Sequence, residues 1–312
     1  FALRYVDHLL KKNLAKRIVI FSRDEFKQHQ MQSLPNIKKN LSKFRFFIGD
    51  VRDINRIDWA LSEDIDILIH TAALKQVPAT EYNPFETVKT NIIGTQNLIE
   101  IAIKKNINKC VLISTDKAVS PINLYGSTKL TAEKLFISAN LFKGKKNSKF
   151  SVVRYGNVMG SRGSVIPILL KQNKNLDYFT ITDKRMTRFN ITLDEAIKFV
   201  NNCISKMKGK EIFVPKSPSY KIMDLVKAIN KNKKIKIIGI RRGEKIHEEL
   251  INKAEYFYSI EKKDKFILLP IAKKNKPKKS VNSSYNSFTN KKYLSILNIR
   301  KLISTNISDL EK

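Results

Sequence analysis

Short apolar runs rich in β-branched residues alternate, through the first half of the chain, with longer stretches whose apolar positions recur at helical spacing. Residues 2–12 put Leu3, Val6, Leu9 and Leu10 on one helical face, which predicts an amphipathic helix. Ile18-Val19-Ile20-Phe21 then reads as a buried parallel strand, stopped by Ser22-Arg23-Asp24-Glu25. A second strand is predicted over 44–48, ending at Gly49-Asp50-Val51-Arg52-Asp53, then a helix over 54–61 and a strand over 65–70. Helix 91–104 precedes strand 109–113, and helix 126–140 precedes strand 151–153. This alternation predicts an α/β fold with a doubly wound parallel sheet, and an all-helical bundle would not be punctuated in this way.

Beyond Gly163 the rhythm loosens. Helices are predicted over 165–170, 193–207 and 222–229, with extended pieces at 211–214 and 235–240. The expected division is a dinucleotide-binding domain over 1–164 and a smaller substrate-binding region over 165–312, packed on the carboxyl edge of the sheet. Within the latter, 272–290 is rich in Lys, Ser and Asn and reads as a loose arm, followed by a short helix over 293–303. No repeat of 20 to 50 residues is evident.

Composition adds exclusions. The 312 residues are 42% hydrophobic, enough for a real core, and the formal charge is +32. Lys outnumbers Arg 47 to 13 and is spread along the chain. That spread fits a compositional drift better than the basic stripe a nucleic-acid partner needs. Two cysteines, Cys110 and Cys203, cannot build a disulfide framework, and no zinc-type spacing is present, so no metal is expected. No run of 18 apolar residues suggests a membrane span, and a reducing cytoplasm is the expected setting. The first residue is Phe1, not Met, and the expectation is that residues precede it in the gene product.

In an open parallel sheet ligands sit beyond the carboxyl ends of the strands, so the residues there carry the candidate chemistry. Ser22-Arg23 follows the first strand, where an acid would bind the ribose of NAD and an Arg beside a hydroxyl favours the extra phosphate of NADP. The plainer alternative is a solvated Arg23 paired with Asp24 or Glu25. Asp50-Val51 suits an adenine edge, Ala72-Ala73 lets a cofactor approach the backbone, and Asn91 suits hydrogen bonds to backbone that hold a neighbouring strand open.

The strongest signal is Ser114-Thr115-Asp116-Lys117-Ala118 followed by Tyr125-Gly126-Ser127-Thr128-Lys129. Tyr125 and Lys129, four apart, share one helical face, and an ammonium near a phenol favours the phenolate. Asp116-Lys117 offers an acid and an amine base side by side, the two groups that elimination of water beside a carbonyl requires. The alternative is a surface ion pair. Arg154-Tyr155-Gly156-Asn157-Val158 closes another strand, and Arg162-Gly163-Ser164-Val165 opens the second region. Arg185, Arg188, Arg241 and Arg242 have the forked geometry that grips a diphosphate, with an exposed loop as the plainer reading of 241–245.

These blocks resemble the extended short-chain dehydrogenase/reductases, and within them the inverting UDP-N-acetylglucosamine 4,6-dehydratases that begin pseudaminic acid synthesis. The likeness runs from Phe1 to about Leu269 and returns near Ser283 to Leu297. It rests on Phe21–Glu25, Phe46–Asp53, Ser114–Lys129, Ser151–Val158 and Arg242–Lys245. The resemblance implies a Rossmann-like fold, NADP in preference to NAD, and UDP-N-acetylglucosamine as substrate. It further implies that Tyr125, assisted by Lys129, takes the C4 hydroxyl proton while hydride leaves for the cofactor. Lys117 then takes the C5 proton, Asp116 protonates the departing C6 hydroxyl, and Thr115 orients the sugar. Ser22, Arg23, Asp50, Val51, Ala72, Ala73, Lys75 and Asn91, with Tyr125 and Lys129, would surround the cofactor. Lys75, Asn157, Arg188 and Arg242 would hold the nucleotide sugar. A homo-oligomer, dimer or hexamer, and a product destined for flagellin or surface-polysaccharide glycosylation are also implied.

Retaining relatives commonly carry Met at the position of Tyr125, so Tyr125 places the chain on the inverting side. The family's first strand and Gly-rich loop would precede Phe1, and Ala2 stands where a Gly is usual. The expectation is that residues 1–312 alone hold cofactor poorly. Thr71, Gln76 and Asn190 also differ from the usual Ala, His and aromatic residue. The competing enzyme readings are a retaining dehydratase and an NAD(P)-dependent nucleotide-sugar epimerase. Readings of another class are an inactive scaffold and a basic polyanion-binding protein.

Overall fold

A computed structural model of the chain describes residues 1–61, 64–161, 163–270 and 283–306. Arg162 and residues 272–282 of the expected arm lie outside the described residues. The strands are β1 (Ile18–Ser22), β2 (Phe44–Ile48), β3 (Ile67–His70), β4 (Lys109–Thr115), β5 (Lys149–Tyr155), β6 (Asn157–Val158), β7 (Tyr178–Ile181) and β8 (Thr187–Ile191). They continue with β9 (Ile212–Pro215), β10 (Ser219–Lys221), β11 (Lys234–Ile237), β12 (Glu249–Ile251), β13 (Ser259–Glu261), β14 (Lys265–Leu268) and β15 (Tyr285–Asn286).

Six strands form the main sheet in the order β13-β14-β9-β5-β4-β3, with β3, β4, β5 and β9 parallel and β14 and β13 antiparallel. β1 and β2 pair in parallel, Ile18 opposite Phe44, as a separate two-stranded sheet. Among the described residues no strand hydrogen-bonds that pair to the six.

The continuous apolar run of β4 is explained by cover on both faces. Cys110 and Leu112 meet a core with Leu98, Ile101, Phe136 and Phe150, to which the helices Gly94–Lys104 and Leu124–Phe142 contribute. Val111, one residue out of phase, meets Tyr5, Ile197, Val200 and Phe213, brought by the helices Ala2–Lys11 and Leu193–Lys206 and by β9. Period-two side-chain alternation thus feeds two cores from one strand.

The chain beyond residue 165 supplies β9, β14 and β13 to the main sheet, builds the smaller sheets β7-β11 and β12-β15, and adds β8 and β10 to β6 in a third. A further core lies there, with Leu169, Phe179, Met186, Tyr220, Leu225 and Ile299. The helix expected from residue 91 begins instead as a π-turn, Lys89–Ile93, that runs into the α-helix Gly94–Lys104. Periodicity does not reveal such a turn. It accompanies the side chain of Asn91, which bonds the loop after β3 at both its oxygen and its nitrogen. Among the described residues no helix is long and apolar enough to cross a membrane.

Candidate active site

The carboxyl ends of β1 to β5 open into a cleft of about 1260 Å³ walled on the far side by the chain beyond residue 157. A single small-molecule site usually measures ~300–1,000 Å³, so this one has room for more than one ligand. Its centre is built where β4 ends. Asn123 caps the helix Leu124–Phe142 by accepting the Gly126 N–H at 2.8 Å, and that helix delivers Tyr125 and Lys129 from one face.

Thr115 Oγ1 donates to Asp116 Oδ1 at 2.9 Å, accepts the backbone N–H of Lys117 at 3.3 Å, and also faces the Tyr125 hydroxyl. Lys117 Nζ lies 3.1 Å from Asp116 Oδ1 and 3.4 Å from Glu248 Oε1. Thr115, Asp116, Lys117 and Tyr125 therefore converge on one space, and Asp116 is fully buried, not half of a surface ion pair.

Burial raises the Asp116 carboxyl above its usual range; Lys117 opposes this and Glu248 reinforces it. Burial alone would lower Lys117, but Asp116 and Glu248 outweigh it and raise the ammonium. Tyr125 is pushed up to about 12 by burial, with Lys117 pulling the other way. The cation that bears on Tyr125 is thus Lys117. Lys129 Nζ donates to the Ile113 carbonyl at 2.8 Å, and burial lowers it to about 8. Behind it His70 is held neutral, lowered to about 3 by burial and by Lys129.

At the end beyond β1, β2 and β3 the cleft is lined by Ser22, Arg23, Asp50, Val51, Ala72, Ala73 and Lys75. Asp50 is engaged by Arg52 at 2.8 Å and by Arg23 at 3.6 Å. Asn91 stands behind the wall: its Oδ1 accepts the Leu74 N–H at 2.8 Å and its Nδ2 donates to the Leu74 carbonyl at 2.9 Å and to Thr128 at 3.0 Å. It braces the loop and does not line the cleft. A Cβ on Gly94 would lie 2.6 Å from Val51 Cγ2, so only Gly lets that helix support the Val51 wall.

On the opposite side lie Asn157, Arg188, Arg241 and Arg242. Arg188 is buried and donates to the carbonyls of Thr187 and Ile246 at 2.8 and 2.9 Å. Arg185 is not among the lining residues; it pairs with Asp183 on the surface at 2.7 Å. Gly243 O accepts Asn123 Nδ2 at 2.8 Å and Lys245 Nζ reaches the Val119 carbonyl at 2.5 Å, so the 241–245 loop is tied to the start of the Tyr125 helix.

Sequence reasoning missed Ser114, Gly156, Lys245 and Glu248, all of which line the cleft. Lys245 was within reach as part of the Arg-Arg-Gly-Glu-Lys block. Ser114 Oγ, Asp116 Oδ2 and Glu248 Oε2 are buried there without a partner among the described residues, and buried polar atoms of this kind suit a polar ligand. Among the described residues no cluster suited to a metal ion is present.

A profile of the family described as "Polysaccharide biosynthesis protein" matches residues 2–270. The chain is similar to the UDP-N-acetylglucosamine 4,6-dehydratase (inverting) of Campylobacter jejuni, 46% identical over 88% of this chain and 80% of that protein. It is also similar to the UDP-glucose 4-epimerase of Rickettsia bellii, 44% identical over 77% of this chain and 70% of that one. Among solved structures, Pen from Bacillus thuringiensis superimposes with a TM-score of 0.87 at 39% identity, covering 97% of this chain and 94% of that one.

Proposed function

The chain belongs to the polysaccharide biosynthesis protein family, among the extended short-chain dehydrogenase/reductases, and from that premise we propose that it is a UDP-N-acetylglucosamine 4,6-dehydratase that inverts C5. The observation that carries this reading is the meeting of Asp116, Lys117 and Tyr125, through Thr115, in one cleft.

A bound nicotinamide supplies reversible hydride acceptance, which makes a C4 ketone available and saturates C6 afterwards. The residues for holding such a group are present: Ala72 and Ala73 leave the backbone approachable, and Ser22, Arg23, Asp50 and Val51 line the end of the cleft beyond β1 and β2. NADP is favoured over NAD because Arg23 lines this end while the nearby Asp24 carboxylate caps Lys27 N at 2.9 Å and pairs with the Lys27 side chain.

Tyr125, in its phenolate form, receives the C4 hydroxyl proton, and the positive charge of the lysine side chains around it favours that form. Lys117, in its neutral form, removes the C5 proton made acidic by the neighbouring ketone, and Asp116, in its protonated form, donates to the leaving C6 hydroxyl. That pair differs from the ion pair by one proton moved between atoms 3.1 Å apart. Thr115 orients the sugar, Lys129 supports the Tyr125 wall, and Lys75, Asn157, Arg188 and Arg242 face the nucleotide. In this reading residues 1–164 hold the cofactor and carry the reacting groups, with Lys75 and Asn157 reaching the sugar nucleotide, and the region 165–312 supplies the rest of the wall that binds it.

The product suits pseudaminic acid synthesis and flagellin glycosylation, in a cytoplasm consistent with two buried free cysteines. Tyr82 and Phe85, 87% and 79% exposed, support assembly into a homo-oligomer. Incubation with UDP-N-acetylglucosamine followed by mass spectrometry should show a product lighter by one water. A product of unchanged mass with the C4 hydroxyl inverted would move the assignment to an epimerase, the activity borne by the name of the Rickettsia relative.

A further inference from the structure

Glu248 is used by no step above, yet it is buried, lines the cleft, and places one carboxylate oxygen 3.4 Å from Lys117 Nζ while the other has no partner among the described residues. Its position is built from two directions. The Glu248 N–H donates to Ser287 Oγ at 2.9 Å and its carbonyl accepts the Ser287 N–H at 2.8 Å, beside the β12–β15 pairing. Arg188 Nε stands 3.8 Å from the same Oε1 that meets Lys117. A segment that returns late in the chain thus holds a carboxylate against the amine of the catalytic pair.

We propose that Glu248 is the positioning residue that shares with Asp116 the ammonium formed once Lys117 has taken the C5 proton, and so leaves Asp116 able to hold the proton that the departing hydroxyl takes. The inference rests on the dehydratase reading for its kinetic meaning. Were Asp116 the sole counter-ion, the full charge of Lys117 would fall on it and keep it ionised, a state that cannot donate. With Glu248 opposite, the ammonium has a second carboxylate to face, and the negative charge of Glu248 itself opposes ionisation of Asp116.

The other groups around the pair fit this division. Burial pushes the Glu248 carboxyl up, but Lys117 first, then Arg188 and Lys245, outweigh it and hold Glu248 below its usual range. Tyr220 is a buried neutral phenol beside the pair, and Tyr125, pushed up by burial, carries charge only in the phenolate form that takes the C4 proton.

The test is Glu248→Gln, which keeps shape and hydrogen-bonding capacity and removes the charge, with Glu248→Asp as the charge-retaining partner. Asp116 is followed by carbon-13 NMR in protein labelled at the Asp carboxyl carbons, its resonance assigned by its absence in Asp116→Asn. The expected result is an Asp116 midpoint lower by about one pH unit in Glu248→Gln, and one close to wild type in Glu248→Asp. With UDP-N-acetylglucosamine, kcat of the Gln variant should fall about tenfold with KM little changed. Because the acid form of Asp116 is required, the limb on which activity falls with rising pH should move to lower pH by the same amount.

An Asp116 midpoint that stays in place in Glu248→Gln overturns the proposal, whatever the rate. A displaced midpoint in a protein that forms no dehydrated product supports the role of Glu248 and removes the dehydratase reading instead.

Discussion

A Cβ placed on Gly126 would lie 2.2 Å from the carbonyl oxygen of Lys117. The turn that carries the acid and base rests directly on the first turn of the helix that carries the phenol, and only a residue without a side chain allows that contact. Gly126→Ala must push the two apart. It should cost about 1–3 kcal/mol of stability and lower kcat by a factor of ~100 or more, since an ångström of misplacement is enough for that. Thermal melting and steady-state kinetics on the same preparation check both, and a variant with wild-type turnover would show that the contact does not set the geometry.

Arg154 is fully buried and joins three parts of the chain: Glu133 at 2.6 Å, Glu255 at 2.9 Å and the Leu250 carbonyl at 3.0 Å. It fastens the helix of Tyr125 and Lys129 to the segment that follows Glu248. Arg154→Met strands two carboxylates and should destabilise the fold by about 3–5 kcal/mol. Urea unfolding reads this as a lower midpoint, and an unchanged midpoint would contradict the clamp.

His70 contributes a pH dependence of defined sign. Its ring is buried and neutral, its Nε2 3.0 Å from Thr95 Oγ1, whose own proton goes to the Asn91 carbonyl at 2.7 Å. Its folded value, lowered to about 3, lies below the unfolded value of 6.5, so between the two the unfolded chain binds the extra proton. Stability is therefore complete above that window and falls as pH drops through it, by up to ~1.4 kcal/mol per unit. Chemical denaturation at several pH values should show this slope, and His70→Asn should flatten it. Equal slopes in both proteins would remove His70 as the cause.

Much of this was legible beforehand, and for identifiable reasons. Strands buried on both faces announce themselves as unbroken apolar runs, as β4 does, and the Asp116-Lys117 and Tyr125-Lys129 pairs sit at the end of one such strand. What remained hidden depends on long-range contacts. Glu248 meets Lys117 across 131 positions of sequence, and nothing in its neighbourhood separates it from an ordinary surface acid. Asn91 has the right residue type for a ligand contact, but the fold turns it to the loop after β3. Arg185, with the forked geometry that suits a diphosphate, is turned outward to Asp183.

The cofactor assignment has its own test. Arg23→Ala should weaken NADPH binding about tenfold or more while leaving NADH nearly unchanged, because a guanidinium on a phosphate is a charge-assisted contact that a ribose hydroxyl lacks. Fluorescence titration with the two reduced cofactors measures it. Tighter binding of NADH than of NADPH by the unaltered protein would assign the site to NAD.

The central claim is that Tyr125, Lys117 and Asp116 act on one sugar ring, and turnover of UDP-N-acetylglucosamine in deuterium oxide followed by proton NMR tests it most directly. The account predicts a 4-keto-6-deoxy sugar with inverted C5 and solvent deuterium incorporated at C5. A product that retains the C5 configuration, or one that keeps its C6 hydroxyl, would contradict it.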